Sequence, residues 1–444
     1  MRVLSDNSLL DHVTPYDRFA SGDAQIEEWL ASGARRRELT DYFGPAEYRS
    51  LAALARRASG VRVNDSALRV LIVPGIMGSQ LGLARAAPLP NDIVWLDPID
   101  IQRGRLAALR MPAPAPIVPL GVMLFSYLRL KLQLRVAGFA VEFHDYDWRL
   151  SIVHSGRALA ERLRALRPAP VAIVAHSMGG LVSRAALALD HTRHIERVVL
   201  LGTPNCGSFA AVQALRGTYA VVRKVARLAL RSSAESLAAE VFNTFPSLYE
   251  LLPWGSCSVA GGDLFDARNW PAAGPRPHAA LLEAARAAQC QLAAPDERFA
   301  VIAGVGAETV TAVRRRGEEF LYTLTRGGDG TVPLESATLP GVRNAFARAA
   351  HSDLTRNPLV AAAVVDLLRA GCTRRLPSRW AKAARASAEL SDGELRRTHA
   401  EKVDWAALTP KERRLFLENL NEPPRVRLRV PGGARHSRSS RRRR

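Results

Sequence analysis

The sequence predicts an α/β protein: a mostly parallel, doubly wound sheet with helices on both faces and one helical cap insertion. Three observations predict it. Short β-branched runs alternate with longer segments of helical spacing, and the runs end at proline, glycine or small-residue turns. The runs are continuously apolar, as strands buried on both faces must be. The alternation breaks once, after Asn205, into a long stretch of helical pattern and loops.

Residues 1–60 read as an N-terminal helical extension. Asp23 is placed to cap Ala24 to Leu30, and Gly44-Pro45 opens a segment with Tyr48, Leu51, Leu54 and Ala55 at helical spacing. The main domain, residues 61–372, begins with Val70-Leu71-Ile72-Val73, a run that stops at Pro74-Gly75. A helix around Val122 to Val136, ended by Gly138, leads to a strand at Ala140 to Phe143. A helix with Leu159, Leu163 and Leu166 on one face, a strand at Val171 to Val174, a helix from Met178 to Leu189 and a strand at Val198 to Leu201 continue the pattern. The cap insertion occupies about residues 205–295, with helical segments Val212 to Leu230 and Thr244 to Pro253. The sheet is expected to resume with Phe299 to Gly304 and Phe320 to Leu324, followed by an apolar helix from Pro358 to Ala370. Residues 373–422 read as a C-terminal helical extension in which Thr409, Pro410 and Glu412 fit a capping box. From residue 423 the chain is too poor in apolar side chains to offset its ordering entropy and is expected to be a disordered Arg-rich tail.

Hydrophobic residues make up 48% of the 444 positions and charged residues 23%, as in an ordinary globular protein. The formal charge of +20 does not by itself indicate nucleic acid, because from Pro423 onward there are nine arginines and no acid, and the remaining +11 or so is spread along the chain. No aromatic residue interleaves the terminal arginines, so nucleic acid is not an expected partner. Two readings of that tail stay open, peripheral contact with an anionic membrane surface and a solubilising disordered end. The uncharged run Met111 to Leu128 has the length of a membrane span, but Pro112, Pro114, Pro116 and Pro119 forbid a regular helix through its first half. A loop leading into a helix is expected there. The N-terminus lacks the uninterrupted apolar core of an export signal, which makes the cytoplasm the expected compartment. Cys206, Cys257, Cys290 and Cys372 lie far apart and read as free thiols, so neither metal nor other cofactor is expected.

The chemistry centres on Ala175-His176-Ser177-Met178-Gly179-Gly180, a buried strand running into a small-residue turn and then a helix. This is the pattern of a nucleophile elbow, in which a tight turn exposes a serine hydroxyl above the sheet and only small residues fit two positions before and after it. Ala175 and Gly179 meet that requirement. Serine is a weak nucleophile at neutral pH and needs a histidine base oriented by an acid, in the chain order serine, acid, histidine. Among the ten histidines His351 is best placed, before Ser352-Asp353-Leu354 and the last apolar helix; His278 falls in the cap and His436 in the tail. The acid is Asp329, in Gly328-Asp329-Gly330-Thr331-Val332-Pro333, where flanking glycines let the backbone turn sharply after a strand. Oxyanion donors are expected from the backbone N–H of Met178 and from the loop Pro74 to Ser79, with Met77 preferred over Ile76. Together these make the chain an expected α/β-hydrolase.

The same residues resemble the lecithin:cholesterol acyltransferase family, including its phospholipid:diacylglycerol acyltransferase and lysosomal phospholipase A2 branches. The landmarks are Leu71 to Leu81, Val94-Trp95-Leu96-Asp97, Tyr146-Asp147-Trp148-Arg149, the Ser177 elbow, Gly202-Thr203-Pro204, Phe245 to Tyr249, Gly328 to Pro333 and His351, spread from about Leu68 to Ala370. The resemblance implies a lipid or other acyl ester as substrate. It implies an acyl group carried on Ser177 and released to an alcohol or to water, as an O-acyltransferase or a phospholipase or lipase would do. It also implies that Trp95 lies beside the acyl pocket, while core packing would equally account for a tryptophan there. The alternative is a non-catalytic lipid- or partner-binding protein that keeps the fold.

Overall fold

A computed structural model describes residues 17, 22–64, 67–87, 89–189, 194–255, 262–381, 388–398 and 401–418. The Arg-rich tail, with His436, and His191, His399 and Cys257 lie outside the described residues. Twelve strands are named among the described residues: β1 (Arg69–Val73), β2 (Ser79–Leu83), β3 (Asp92–Trp95), β4 (Val118–Val122), β5 (Ala140–Phe143), β6 (Val171–His176), β7 (Ile195–Leu201), β8 (Phe299–Gly304), β9 (Thr309–Arg316), β10 (Glu319–Thr325), β11 (Arg343–Ala347) and β12 (Ala388–Ser391).

Six of them form the central sheet in the order β11-β8-β7-β6-β1-β5, every pair parallel. Alternate residues of β1 face opposite layers: Val70 and Ile72 pack with the helices Pro45–Ser59, Leu124–Val136 and Pro358–Ala370, and Leu71 and Val73 with the helices Ile152–Ala165 and Met178–Leu187. The strand order reverses between β1 and β6, so the crevice for a ligand lies beyond their C-terminal ends. This is the α/β-hydrolase fold, doubly wound and with helices on both faces.

The insertion after β7 carries the helices Phe209–Leu215, Ala220–Leu228, Ala234–Glu240, Pro246–Glu250 and Ala279–Gln289. The helical pattern over Val212 to Leu230 is divided between two helices, because the chain breaks at Gly217, whose φ is +69°. The strand expected at Phe320 to Leu324 is β10, but it does not extend the main sheet; it pairs antiparallel with β9 and β12 in a sheet of three. The C-terminal extension is correspondingly not all helical, since β12 lies in it, and β11 fills the sheet edge instead. A second small sheet, β3-β2-β4, takes up part of the proline-rich run before the helix at Leu124, where a plain loop was expected. The N-terminal helix spans Asp23–Ser32 with Gly22 rather than Asp23 at the cap, and Asp23 and Glu27 instead pair with Lys131. Among the described residues no helix is long and apolar enough to cross a membrane.

Candidate active site

β6 is buried along its whole length and delivers Ser177 directly into the helix Met178–Leu187. Ser177 has φ 55° and ψ −130°, a conformation that costs a non-glycine residue free energy and persists only where packing dictates it. That packing is visible in the glycines around it. A Cβ on Gly179 would stand 2.4 Å from the Pro74 carbonyl oxygen, and one on Gly75 would stand 2.7 Å from the Ser177 Cβ. The loop after β1 therefore presses against the elbow at a distance only glycine permits. The Ser177 N–H donates to the Leu201 carbonyl at 2.9 Å, which ties the turn to the end of β7.

The loop after β10 carries Asp329 and the loop after β11 carries His351, and the structure brings both to Ser177. The Asp329 Oδ1 accepts the N–H groups of Thr331 at 3.0 Å and Val332 at 2.7 Å, and its Oδ2 lies 2.7 Å from His351 Nδ1. His351 Nε2 lies 2.9 Å from Ser177 Oγ. With Nδ1 donating to a carboxylate, Nε2 is left as the acceptor that faces the hydroxyl. The His351 N–H also donates to the Asp329 carbonyl at 2.8 Å, so the two loops are joined through main chain as well as side chain. Gly202, at φ +56°, ends β7 beneath this pair, where a Cβ would come within 3.0 Å of Asp329 Oδ2 and 3.2 Å of His351 Nδ1.

Above Ser177 opens a cleft of about 1050 Å³ including its mouth. The cap contributes Ala210, Ala211, Ala214, Leu248 and Leu251 to its lining, and the main domain contributes Phe125, Ser126, Ser352 and Thr355. Met77 borders the cleft from the loop between β1 and β2 with φ +61°, and Met178 is the first residue of the elbow helix, where backbone N–H groups have no intrahelical partner. Trp95 is a core residue that also reaches the cleft. It is 1% exposed and packs edge-on to Trp148 at 5.4 Å, yet it borders the cleft and its Nε1 donates to the Met77 carbonyl at 3.1 Å.

The Tyr146 to Arg149 segment props this loop from behind. Tyr146 donates its hydroxyl to the Pro74 carbonyl at 2.8 Å, and Trp148 Nε1 donates to the Ser79 carbonyl at 3.0 Å. Arg149, 2% exposed, is held by Asp147 and by the Leu109 carbonyl. The sequence reading missed Tyr127 and gave His176 no part of its own, although both border the cleft. The only signal for Tyr127 was a polar-tipped aromatic among the leucines of the helix Leu124–Val136.

Fold and site together define the class, an α/β-hydrolase with a serine, a histidine and an aspartate in hydrogen-bonded file at the sheet's C-terminal edge. Residues 158–245, which include the elbow, match the family described as PGAP1-like alpha/beta domain. None of the curated proteins matches the chain. Among solved structures, the mature form of the Bacillus licheniformis lipase BlEst2 is similar at 16% identity and a TM-score of 0.37, over 69% of this chain and 94% of that one. The Tle4–Tli4 complex is similar at 14% identity and a TM-score of 0.42, over 68% of this chain and 98% of that one. Likeness that distant says nothing of substrate or partner.

Proposed function

We propose that this chain is a serine-dependent acyl-ester enzyme of lipid metabolism, acting as a lipase or phospholipase or as an O-acyltransferase. Ser177 Oγ attacks the ester carbonyl while His351 Nε2 takes its proton, and Asp329 holds the imidazole and stabilises its charged form. The N–H groups of Met77 and Met178 receive the negative charge on the carbonyl oxygen. His351 then returns the proton to the departing alcohol, leaving the acyl group on Ser177. Water or a second alcohol reverses the sequence, so hydrolysis and transfer share one intermediate and differ only in the acceptor.

The observation that carries the reading is the unbroken file from Ser177 Oγ through His351 to Asp329, at 2.9 and 2.7 Å, under an apolar cleft. The choice of lipid esters rests on the apolar cap wall and on the motif resemblance set out from the sequence, in which Trp95 stands beside the acyl chain. Replacing Ser177 with Ala is expected to abolish turnover of nitrophenyl esters and labelling by a fluorophosphonate; retained activity would remove the mechanism. Lipid products formed with and without an added alcohol acceptor then separate transfer from hydrolysis.

A further inference from the structure

Two buried polar side chains beside the triad have no part in the steps above. Tyr127 comes from the helix Leu124–Val136 and His176 from the last position of β6, and both are more than nine-tenths buried. Polar groups that deep in a protein are held by specific partners. The Gly75 N–H donates to Tyr127 Oη at 2.9 Å, and Tyr127 Oη lies 3.0 Å from His176 Nδ1. Across the same imidazole, His176 Nε2 lies 3.0 Å from the carbonyl oxygen of His351.

These contacts have one consistent direction. A carbonyl only accepts, so His176 Nε2 carries the ring proton and Nδ1 is an acceptor. The single proton of the phenol then points to Nδ1, while its oxygen takes the Gly75 N–H. A charged imidazole would set a second proton against that of the phenol. Burial, and then the neighbouring His351, lower the His176 pKa to about 3, so the ring stays neutral through the physiological range.

The ends of this string are the two loops that the reaction uses besides the elbow. Gly75 opens the loop bearing Met77, His351 bears the base, and His176 directly precedes Ser177. We infer that Tyr127 and His176 form a positioning pair that holds the oxyanion loop and the His351 main chain in register with the Ser177 hydroxyl. The inference rests on Ser177 being the nucleophile. The His176 ring lies 4.7 Å from that of His351, and the pair's hydrogen bonds go to main chain and to each other, so its effect is on the placement of the groups that react.

Three variants test the pair. Tyr127→Phe deletes one hydroxyl, His176→Leu deletes both ring contacts, and His176→Gln keeps a donor near the position of Nε2. Rates are divided by active sites titrated with a fluorophosphonate. Tyr127→Phe and His176→Leu are expected to lose about tenfold or more in kcat with KM changed less than about twofold, and His176→Gln to recover part of the loss. Unchanged kcat in the first two overturns the pair, as does a loss that disappears after titration, since that reports folding alone. Nitrogen NMR of labelled histidine in the Ser177→Ala protein gives a reading free of catalysis. His176 is expected to remain neutral with its proton on Nε2 from about pH 5 to 8, and a proton on Nδ1 or a titration in that range overturns the string. Wild-type protein that is not labelled at Ser177 while the histidine spectra are as expected would instead overturn the serine reading.

Discussion

The Glu250 carboxyl closes the cap against the main domain. It accepts the Ile152 N–H at 2.5 Å, at the start of the helix Ile152–Ala165, and a second bond from the Ser151 side chain. Burial raises its pKa from 4.5 to about 7, outweighing the lowering by those two bonds. The folded chain therefore keeps a proton that the unfolded chain has released, and the sign follows from linkage. This contribution to stability is full below pH 4.5 and is lost as pH rises through about 7. Glu250→Gln keeps an acceptor oxygen and cannot titrate. Between about pH 4 and 8 wild-type stability is expected to fall relative to that variant by on the order of 2 kcal/mol. Denaturant unfolding of both proteins at several pH values measures the difference, and parallel pH profiles would refute it.

One cap element lines the cleft above Ser177. The helix Phe209–Leu215 is capped by Ser208, whose hydroxyl accepts the Ala210 N–H at 3.1 Å and donates to the Thr331 carbonyl at 2.5 Å, two residues beyond Asp329. Its alanines at 210, 211 and 214 face the cleft, and Ala210 is only half-buried. A larger side chain there has room to enter the cleft without displacing core. Ala210→Phe is expected to lower kcat/KM for long-chain nitrophenyl esters about tenfold or more and for short-chain esters less than about threefold. Equal loss at every chain length would mean that this helix is not the acyl wall. The helix was legible only in outline, as part of a longer apolar segment, because the break at Gly217 depends on cap packing that periodicity does not report. Elements of the central sheet were far more legible, since strands buried on both faces announce themselves as β-branched runs ending at small-residue turns. β10 illustrates the limit: its run looks like any other, and its assignment to the small sheet is decided by partners at 309–316 and 388–391. Of the site residues, Asp329 and His351 could be chosen by order and by glycine context, whereas Tyr127 owes its place to how one helix lies across the elbow.

At the scale of the whole molecule, the cap, the small sheet and the C-terminal segment are joined at one buried point. Arg216, at the end of the first cap helix, donates from Nε at 3.1 Å and Nη2 at 2.8 Å to Asp392 Oδ2. Tyr322 of β10 donates its hydroxyl to the other carboxylate oxygen at 2.7 Å, and the Phe320 N–H reaches Oδ2 at 3.2 Å. The remaining Arg216 donors go to the carbonyls of Pro275 and Ala273, both at 2.7 Å, and of Pro271 at 3.3 Å. Both charged side chains have 0% exposure, so each is tolerable only because the other is there. Losing one partner strands a charge without solvent, while replacing both with apolar side chains removes attraction and desolvation together. Asp392→Ala is therefore expected to lower unfolding free energy by about 3–5 kcal/mol, and the double change Arg216→Met with Asp392→Leu to recover most of it. Denaturant unfolding followed by tryptophan fluorescence tests this, with Trp270 packed against Phe320 at 5.4 Å as a reporter beside the pair. A loss under about 1 kcal/mol in Asp392→Ala would put the junction among exposed ion pairs in strength and refute its part in holding the cap.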